Sequence, residues 1–269
     1  MSFRNTIKSI AIGSFDGIHI AHQALIEKAD ALVIIERNGG YLTAGYKRAN
    51  FTSKVCCFYH FDSIKGLSPK EFVEMLKSDF PKLETIVVGY DFHFGKNKSG
   101  NARLLASLCD RKVLIIDEVS VDGISVHSRT IKTYIQEGNM LWAKKLLGRR
   151  YHIEGSVIRG QGIGKNALFA TLNLEVKSYV LPKEGVYATQ MCIAGVWRDS
   201  VSFLGHRVST DGAFAIETHI LDKEIAEVRG RVSLAFVGHI RANAKFKSLA
   251  LLKKQIGEDI MKAKEILSC

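Results

Sequence analysis

The sequence predicts an α/β domain with a parallel sheet, followed by a small antiparallel β-barrel and a C-terminal helix. Three observations support this prediction: apolar runs alternate with amphipathic stretches up to about residue 148, glycine-separated strand signals dominate afterwards, and one long amphipathic segment comes last. Alternating strands and helices are typical of a parallel sheet covered by helices. We place the boundary near Gly148, which gives predicted domains 1–148 and 149–269.

Hydrophobic periodicity predicts the elements of the first domain. Apolar runs indicate strands at residues 7–12, 31–35, 55–59, 85–88 and 113–116. Amphipathic stretches indicate helices at residues 21–30, 69–77, 102–109 and 129–137. The clearest helix start is at Ser68, because this capping serine precedes Pro69 and an acidic residue, Glu71, in the first turn.

The second domain has a different sequence pattern, because glycines separate short segments after residue 151. Strand signals are strongest at residues 185–192, 213–221 and 231–240. Short strands bounded by turn residues are typical of a small antiparallel barrel. A final amphipathic helix is predicted at residues 248–267, and the sequence contains no internal repeat.

Composition limits the kinds of partner to expect. The 269 residues carry a formal net charge of +11, which favours anionic partners such as nucleic acid, nucleotides or flavin phosphates. Charges interrupt every apolar stretch and the N-terminus lacks a signal-peptide pattern, so we expect a cytoplasmic protein that binds no membrane. Five cysteines, including one adjacent pair, indicate buried free thiols rather than a zinc site or disulfide framework. The sequence leaves the oligomeric state open.

The segment from Gly13 to His22 has the first chemical signature, and it follows the first predicted strand directly. Gly13 and Gly17 allow the backbone to approach a ligand closely. His19 and His22 are three residues apart, so both imidazoles share one face at a helix start, where backbone N–H groups favour phosphate. An isolated H-x-x-H is about three times more often a surface or structural pair. The surrounding strand, glycine turn and helix favour a polyphosphate site.

Two further segments lie where ligands bind in α/β folds. Asp91 lies in V-V-G-Y-D-F-H-F-G after the fourth predicted strand, at the edge of an open sheet where ligands bind. A loop with aromatic core residues is an equally good interpretation of that segment. Ser128, Arg129 and Lys132 begin the next predicted helix with a hydroxyl and positive charges that suit a phosphate. A solvated helix cap is the commoner interpretation of such a segment in isolation.

Together the three segments resemble the N-terminal module of the bifunctional bacterial riboflavin kinase/FMN adenylyltransferase (FAD synthetase) family. That family shows G-x-F-D-G-x-H-x-G-H, V-G-x-D-F-x-F-G and I-S-S-T-x-I-R in this order, followed by L-G-R-x-Y, which stands here at residues 147–151. The resemblance implies an α/β Rossmann-like nucleotidyltransferase domain that adenylylates FMN. It implies that His19 and His22 are catalytic and hold the ATP phosphates, and that Asp91 contacts flavin. The other ATP-binding residues that it implies are Gly13, Phe15, Asp16, Gly17, Ser128, Arg129 and Lys132.

The chain departs from the family pattern at several of these positions. Ala21 replaces the glycine before the second histidine, and His127 and Lys132 stand where serine and arginine are usual. Lys132 keeps a positive charge but loses the bidentate guanidinium. The proline-histidine-proline signature of the family is absent, and residues 36–39 occupy that region. These differences concern how the nucleotide is held rather than the class of reaction.

The second half resembles the riboflavin kinase module of the same family. Its matching segments, in order, are a glycine-rich stretch at 160–165, F-A-T-L-N at 169–173, E-T-H at 217–219 and I-R at 240–241. Taken singly, each is more typical of a turn, a strand or an exposed charge. The resemblance implies a small antiparallel Greek-key β-barrel with a C-terminal helix. It implies that Thr171 binds Mg²⁺ and that Asn173 holds ATP. Glu217 would be the general base on the riboflavin 5′-hydroxyl, and Arg241 would lie near the flavin.

This half has also lost motif residues. Ala170 replaces the proline of F-P-T-x-N, Leu168 replaces the glycine before the phenylalanine, and Val208 stands where R-P-T has its proline. Proline fixes φ, so we expect looser loops at these places. The residues with chemical roles, such as Glu217, are retained, and we therefore expect a working kinase.

The sequence thus predicts an enzyme of FAD biosynthesis that uses ATP and Mg²⁺ to convert riboflavin to FMN and FMN to FAD, with release of pyrophosphate. Two alternatives are kept. In the first, the FMN adenylyltransferase alone is active and the barrel is a degenerate flavin-binding module. In the second, the positive charge reflects nucleic-acid binding, although this leaves His19, His22 and Glu217 unexplained. ATP and flavins are the expected partners, and nucleic acid is not.

Overall fold

The chain forms two compact units in the computed structural model, residues 1–128 and 129–269. The structure describes residues 3–37, 40–158, 169–207, 212–221 and 228–268. Each unit has a hydrophobic core of its own. The helix Met140–Leu147 belongs to the second unit by its contacts, and a domain boundary near Gly148 stays a prediction.

A parallel sheet forms the centre of the first unit. The strands of this unit are β1 (Ser9–Gly13), β2 (Ala31–Glu36), β3 (Val55–His60), β4 (Thr85–Gly89), β5 (His93–Phe94), β6 (Gly100–Asn101), β7 (Lys112–Ile116), β8 (Ser120–Val121) and β9 (Ile124–Ser125). Within the described residues the sheet has five parallel strands in the order β3-β2-β1-β4-β7. Ile10 and Ile12 of the central strand pack into one core cluster and Ala11 into another. The predicted Rossmann-like sheet is confirmed.

The strand order reverses between β1 and β4, because the chain runs outward to β2 and β3 and then returns to β4. Ligands of open α/β sheets bind at the carboxyl ends of the strands beside such a switch point. Gly13 ends β1 and Gly89 ends β4, so the segments that begin at these glycines share one edge of the sheet. The fold therefore brings together two of the segments that the sequence singled out.

Helices accompany the strands of the first unit. They are α1 (Ile20–Ile26), α2 (Phe61–Ile64), α3 (Pro69–Asp79) and α4 (Ala102–Leu108), with 3₁₀ turns at Phe3–Thr6, Gly45–Phe51 and Lys96–Lys98. The predicted start of α3 is confirmed, because the Ser68 side chain accepts the Glu71 N–H and the Glu71 carboxylate accepts the Ser68 N–H. The single turn of α2 escaped prediction, since four residues carry too little periodicity.

An antiparallel barrel forms the second unit. Its helices are α5 (Ser128–Gln136), α6 (Met140–Leu147) and α7 (Leu249–Leu267), and its strands are β10 (His152–Ile158), β11 (Leu172–Val176), β12 (Gly185–Ile193), β13 (Val196–His206), β14 (Phe214–Ile220) and β15 (Arg231–Arg241). In the described part of the chain, six strands close in the order β10-β11-β14-β13-β12-β15. The strands β11 and β14 are paired although β12 and β13 lie between them in the sequence, and this is a Greek-key connection. The predicted barrel with a C-terminal helix is confirmed.

Hydroxyl groups line part of the barrel interior. Thr189 Oγ1 lies 2.8 Å from Ser200 Oγ and from Ser202 Oγ, and Ser202 Oγ lies 2.8 Å from Thr218 Oγ1. All four residues are fully buried. Because inward positions are polar here, alternation of polar and apolar residues does not mark the inward face. For this reason β13 was not among the strand signals of the sequence.

The described cysteines are free thiols. Cys57 and Cys109 are buried, and Cys56 and Cys192 are half-buried. Burial raises the pKa of the Cys56 and Cys57 thiols above the ordinary range. The expectation of free thiols is therefore confirmed for these four residues, and the expected burial is complete for Cys57 and Cys109.

Candidate functional site

The loop that follows β1 turns sharply after Gly13. Three of its residues have positive φ angles: Phe15 (48°), Gly17 (91°) and Ile18 (41°). Phe15 and Ile18 are not glycines, and their side chains are fully buried in the same core cluster as Ala11. Such backbone conformations cost about 1–3 kcal/mol each and persist where the surrounding packing enforces them. Buried anchors therefore hold this loop in one conformation.

Asp16 connects the loop to two other segments. Its Oδ1 atom accepts hydrogen bonds from the backbone N–H groups of Leu42 (2.8 Å) and Thr43 (3.1 Å). Its carbonyl oxygen accepts a hydrogen bond of 2.7 Å from Ser128 Oγ. Ser128, a predicted phosphate residue, thus contacts the first loop although 112 positions separate it from Asp16. The Asp16 carboxylate is buried and organises backbone, and its contact with ATP stays a prediction.

His19 and His22 stack against each other at the start of α1. Their ring centroids are 3.5 Å apart and their planes differ by 15°. His19 Nδ1 accepts the His22 backbone N–H at 3.3 Å, and His22 Nδ1 accepts the His19 backbone N–H at 3.4 Å. A neutral imidazole that accepts at Nδ1 carries its proton on Nε2. The donor nitrogen of each ring is therefore Nε2, as contact with phosphate oxygens requires.

A polar cluster surrounds Asp91 beyond the carboxyl ends of β4 and β7. The Tyr90 hydroxyl donates a 2.8 Å hydrogen bond to Glu118 Oε1 and lies 3.2 Å from His127 Nε2. His127 Nδ1 is 3.9 Å from Asp91 Oδ2, and Ser125 Oγ donates to Glu118. The hydrogen bond to Glu118 raises the pKa of Tyr90 to about 12, while the one from Ser125 lowers the pKa of Glu118. Sequence reasoning missed Tyr90 and Glu118. The feature that could have identified them is their position just after the neighbouring strands β4 and β7.

Arg48 is a buried cation in the first unit that the sequence did not single out. Its side chain is 1% exposed, and its Nη1 atom lies 3.5 Å from Glu36 Oε1. The guanidinium carbon lies 4.9 Å from the centre of the Tyr41 ring, within the range of a cation–π contact. Glu36 begins the region where the proline-histidine-proline signature is absent, so a carboxylate that holds a buried arginine stands there instead.

Asn173 and Glu217 face each other across the β11–β14 pair of the second unit. They are directly opposite in the antiparallel register, so their side chains project from the same side. Thr218 points into the barrel, where it joins the buried hydroxyls, and adjacent strand residues point to opposite faces. Asn173 and Glu217 therefore lie on the outer face. Thr171, which is exposed, precedes Asn173 by two residues.

Glu217 is paired with Arg207, to which the sequence assigned no role. Arg207 Nη1 lies 3.4 Å from Glu217 Oε1, and the two side chains are 19% and 26% exposed. His219, on the same face of β14, places Nδ1 2.8 Å from the Ala170 carbonyl oxygen, a distance at which the ring nitrogen donates. The residue that replaces the motif proline is thus tied to β14 by a hydrogen bond.

Arg241 connects β15 with the C-terminal helix. Its Nε atom donates to Asp259 Oδ1 at 2.9 Å and its Nη2 atom donates to Asp259 Oδ2 at 2.7 Å. Asp259 is buried, and the Arg241 guanidinium carbon also lies 5.5 Å from the centre of the Phe246 ring. The structure thus shows Arg241 anchoring α7, and its contact with flavin stays a prediction.

Two family models match successive parts of the chain. One described as FAD synthetase matches residues 47–130, and one described as riboflavin kinase matches residues 147–267. A relative named bifunctional riboflavin kinase/FMN adenylyltransferase, from Pseudomonas fluorescens, is 27% identical over 95% of this chain and 91% of its own. The chain belongs to the bifunctional riboflavin kinase/FMN adenylyltransferase family. The two matches include Asp91 and Ser128 in the first case, and Asn173 and Glu217 in the second.

Other relatives with the same name match this chain over a similar length. The Listeria monocytogenes protein is 28% identical over 94% of this chain and 90% of its own, and the Escherichia coli K12 protein is 24% identical over 95% and 91%. A crystal structure described as a macrolide-efflux protein from Streptococcus pneumoniae has a TM-score of 0.84 over 97% of this chain and 96% of that chain, at 23% identity. At this identity the structural likeness shows the fold alone. The two family models show that both enzymatic domains of a bifunctional transferase are present in this member of the family.

The riboflavin kinase part carries an oxygen ligand that fits Mg²⁺. This ion is usually bound by a few protein oxygens together with substrate phosphates. Thr171, which immediately precedes β11, offers an exposed hydroxyl. Over the described ranges, no group of three or more His, Cys, Asp or Glu side chains is arranged to hold a metal. The residues present fit an ion that arrives with ATP.

Several predicted residues of the family site are not tested by the structure. The glycine-rich stretch at 160–165, Leu168 and Val208 lie outside the described residues. Arg129 is exposed and Lys132 is half-buried on α5, and their contact with ATP stays a prediction. Among the helices of the described residues, none combines the length and apolarity needed to cross a membrane.

Proposed function

We propose that this chain makes FAD from riboflavin in two steps, with ATP as donor in both. The riboflavin kinase part forms FMN, and the FAD synthetase part transfers AMP to FMN and releases pyrophosphate. The observation that carries the proposal is that both family models match successive parts of one chain. A cytoplasmic location, with ATP and flavins as partners and without nucleic acid or membrane, is part of the proposal.

The adenylyl transfer is assigned to the loop after β1. An oxygen of the FMN phosphate attacks the α-phosphorus of ATP, and pyrophosphate leaves. His19 and His22 direct Nε2–H groups at the phosphate oxygens, where negative charge grows on the leaving group. Support for this role comes from their reciprocal capping, which fixes both rings and places the proton on Nε2. Positioning and charge stabilisation suffice, and no covalent intermediate with the protein is required.

The kinase step is assigned to the outer face of β11 and β14. Glu217 takes the proton of the riboflavin 5′-hydroxyl as the hydroxyl oxygen attacks the γ-phosphorus of ATP, and ADP leaves. Asn173, opposite Glu217 in register, holds the nucleotide. Thr171 would hold Mg²⁺ with the ATP phosphates, and the bound ion would offset the charge of the phosphoryl group.

Product analysis tests the proposal. Purified protein is incubated with riboflavin, ATP and Mg²⁺, and flavins are separated by chromatography. We expect FMN first and FAD later. If neither product forms, the proposal is wrong.

A variant of the base separates the two activities. Glu217→Gln is expected to lower FMN formation by about 100-fold or more, because general-base catalysis contributes about 10²–10⁴-fold. FAD formation from supplied FMN should be unchanged. Unchanged FMN formation would remove Glu217 from its assigned role.

The degenerate-barrel alternative has less support than the bifunctional enzyme. The riboflavin kinase model matches residues 147–267, and Asn173 and Glu217 share one face. Supplying either riboflavin or FMN to the wild-type protein distinguishes the two, since FAD formation from FMN alone would favour the degenerate barrel. Salt-dependent binding to random DNA or RNA, without flavin turnover, would instead favour the nucleic-acid alternative.

A further inference from the structure

Arg207 is the cation beside the proposed base of the kinase. Its Nη1 atom lies 3.4 Å from Glu217 Oε1, and both side chains are largely shielded from solvent. Screening by water and salt is weaker for such a pair than for exposed charges, so the guanidinium acts strongly on the carboxylate. The cross-strand neighbours of Glu217 are Asn173 and Phe203, which carry no charge, and His219 lies two residues along the same face of β14.

The backbone at Arg207 is held on both sides. Its N–H donates to the Ala213 carbonyl at 3.0 Å, and its own carbonyl accepts the Gly212 N–H at 3.1 Å. These bonds continue the antiparallel pairing of β13 and β14 beyond His206, the last residue of β13. The guanidinium is therefore presented to Glu217 from a fixed main chain.

A clamp on His206 adds to this rigidity. The His206 N–H donates to Glu184 Oε2 at 3.1 Å, and His206 Nδ1 lies 2.8 Å from Glu184 Oε1. The Asn243 side chain donates to the His206 carbonyl at 2.7 Å. Gly205 permits this approach, because a Cβ atom there would lie 2.6 Å from Glu184 Oε2. The clamp therefore fixes the main chain next to Arg207, in a chain that has valine rather than proline at position 208.

We propose that Arg207 is a positioning residue for the kinase step, which holds the Glu217 carboxylate oriented toward the riboflavin 5′-hydroxyl. In the reaction the O–H bond breaks and its proton passes to Glu217, while an O–P bond forms at the γ-phosphorus and ADP leaves. Arg207 takes no part in the proton transfer and touches neither substrate. The inference rests on the proposed kinase function and adds a residue to it.

Arg207→Met tests the role by removing the charge and keeping an unbranched side chain. We expect kcat for FMN formation to fall about tenfold to 100-fold, since a misplaced reacting group costs up to about 10². KM for riboflavin should change by less than about threefold, because Arg207 binds no substrate.

Two further variants make the result specific. Arg207→Lys keeps the charge without the planar guanidinium, and it should recover part of kcat. Lys177→Met is the matched control, because Lys177 pairs with a carboxylate of β11, Glu175 Oε1 at 3.2 Å, and not with Glu217. It should leave kcat and KM as in the wild type. Both tryptophans, Trp142 and Trp197, lie in the second unit, so their fluorescence reports whether each variant keeps that unit folded.

The results that would contradict the proposed function differ from those that would contradict the role of Arg207. If the wild type makes no FMN, the proposed function itself is wrong. If the wild type makes FMN and Arg207→Met keeps kcat, the positioning role is wrong. A lower kcat that Arg207→Lys does not partly restore, together with a less stable second unit, would show that Arg207 is merely structural and would also overturn the inference.

Discussion

At the level of single residues, His19 and His22 cap each other, and in the proposed mechanism each also has the role of offering Nε2–H to an ATP phosphate. Sequence reasoning predicted the second role from the spacing and missed the first, since histidine is not a usual capping residue. The capping explains how a short helix presents both rings in a defined tautomer. A substitution that removes both the cap and the ring nitrogen would therefore lower stability and activity together.

His22→Gln separates these effects. Glutamine at the third helical position can reach back to the His19 N–H, as in a capping box, so the melting temperature should change by no more than about 2 °C. FAD formation from FMN should fall about 10²-fold or more, because a phosphate donor is lost. FMN formation from riboflavin provides the control in the same chain and should be unchanged.

His22→Ala is the comparison variant. It removes the cap as well as the donor, so the first unit should lose about 1 kcal/mol of stability in addition to the activity. Wild-type rates of FAD formation in His22→Gln, measured by chromatography, would show that the ring nitrogen is not part of the chemistry.

Asp16 and Arg241 show where residue-level prediction stops. Both were expected at ligands, and both have side chains engaged with protein groups: Asp16 with the backbone of Leu42 and Thr43, and Arg241 with Asp259. A motif identifies which residue type recurs, but it does not say whether the charge holds a ligand or holds the loop. Their ligand contacts stay predictions.

The turn between α5 and α6 is an example at the level of elements. Gly138 has a φ of 81°, and an added Cβ atom would lie 3.3 Å from the hydroxyl of Tyr187. Tyr187 is fully buried and its hydroxyl donates to the Lys183 carbonyl, so it has little room to move. The glycine therefore sets both the turn and the approach of α5 to β12.

Gly138→Ala should destabilise the second unit by about 2–5 kcal/mol, the sum of a left-handed conformation and local overpacking. Gly195→Ala is the matched control in the same unit, since Gly195 has a φ of 82° and no atom within 4 Å of an added Cβ. It should cost about 1–2 kcal/mol. Denaturant unfolding followed by tryptophan fluorescence measures both, and equal losses would show that the Tyr187 contact is unimportant.

Elements were predictable where apolar residues form a continuous run or recur on one face of a helix. The strands of the parallel sheet meet the first condition, the capped α3 and the terminal α7 meet the second, and the structure confirms them. The strand β13 meets neither, because Ser200 and Ser202 face inward and form hydrogen bonds with Thr189. Pairing partners, rather than polarity, define that strand.

The two activities should be separable at the level of the whole molecule. Each unit has its own core, with His19 and His22 in the first and Glu217 in the second. We therefore expect that an equimolar mixture of His22→Gln and Glu217→Gln proteins makes FAD from riboflavin after a lag, because FMN from one protein reaches the other. Neither variant alone should do so at the wild-type rate. A mixture that accumulates FMN without FAD would contradict free exchange of FMN.

The sequence by itself determined the order of two enzymatic domains, the parallel sheet, the barrel and the family, because these depend on local periodicity and on motifs whose spacing is local. The tertiary structure alone decided that Ser128 meets the loop at Asp16, that Tyr90 meets Glu118, and that Arg207 meets Glu217. Strand order and register bring these partners together from distant positions in the chain. No local pattern encodes such a pairing, so the positioning role of Arg207 became visible only when β13 and β14 were seen side by side.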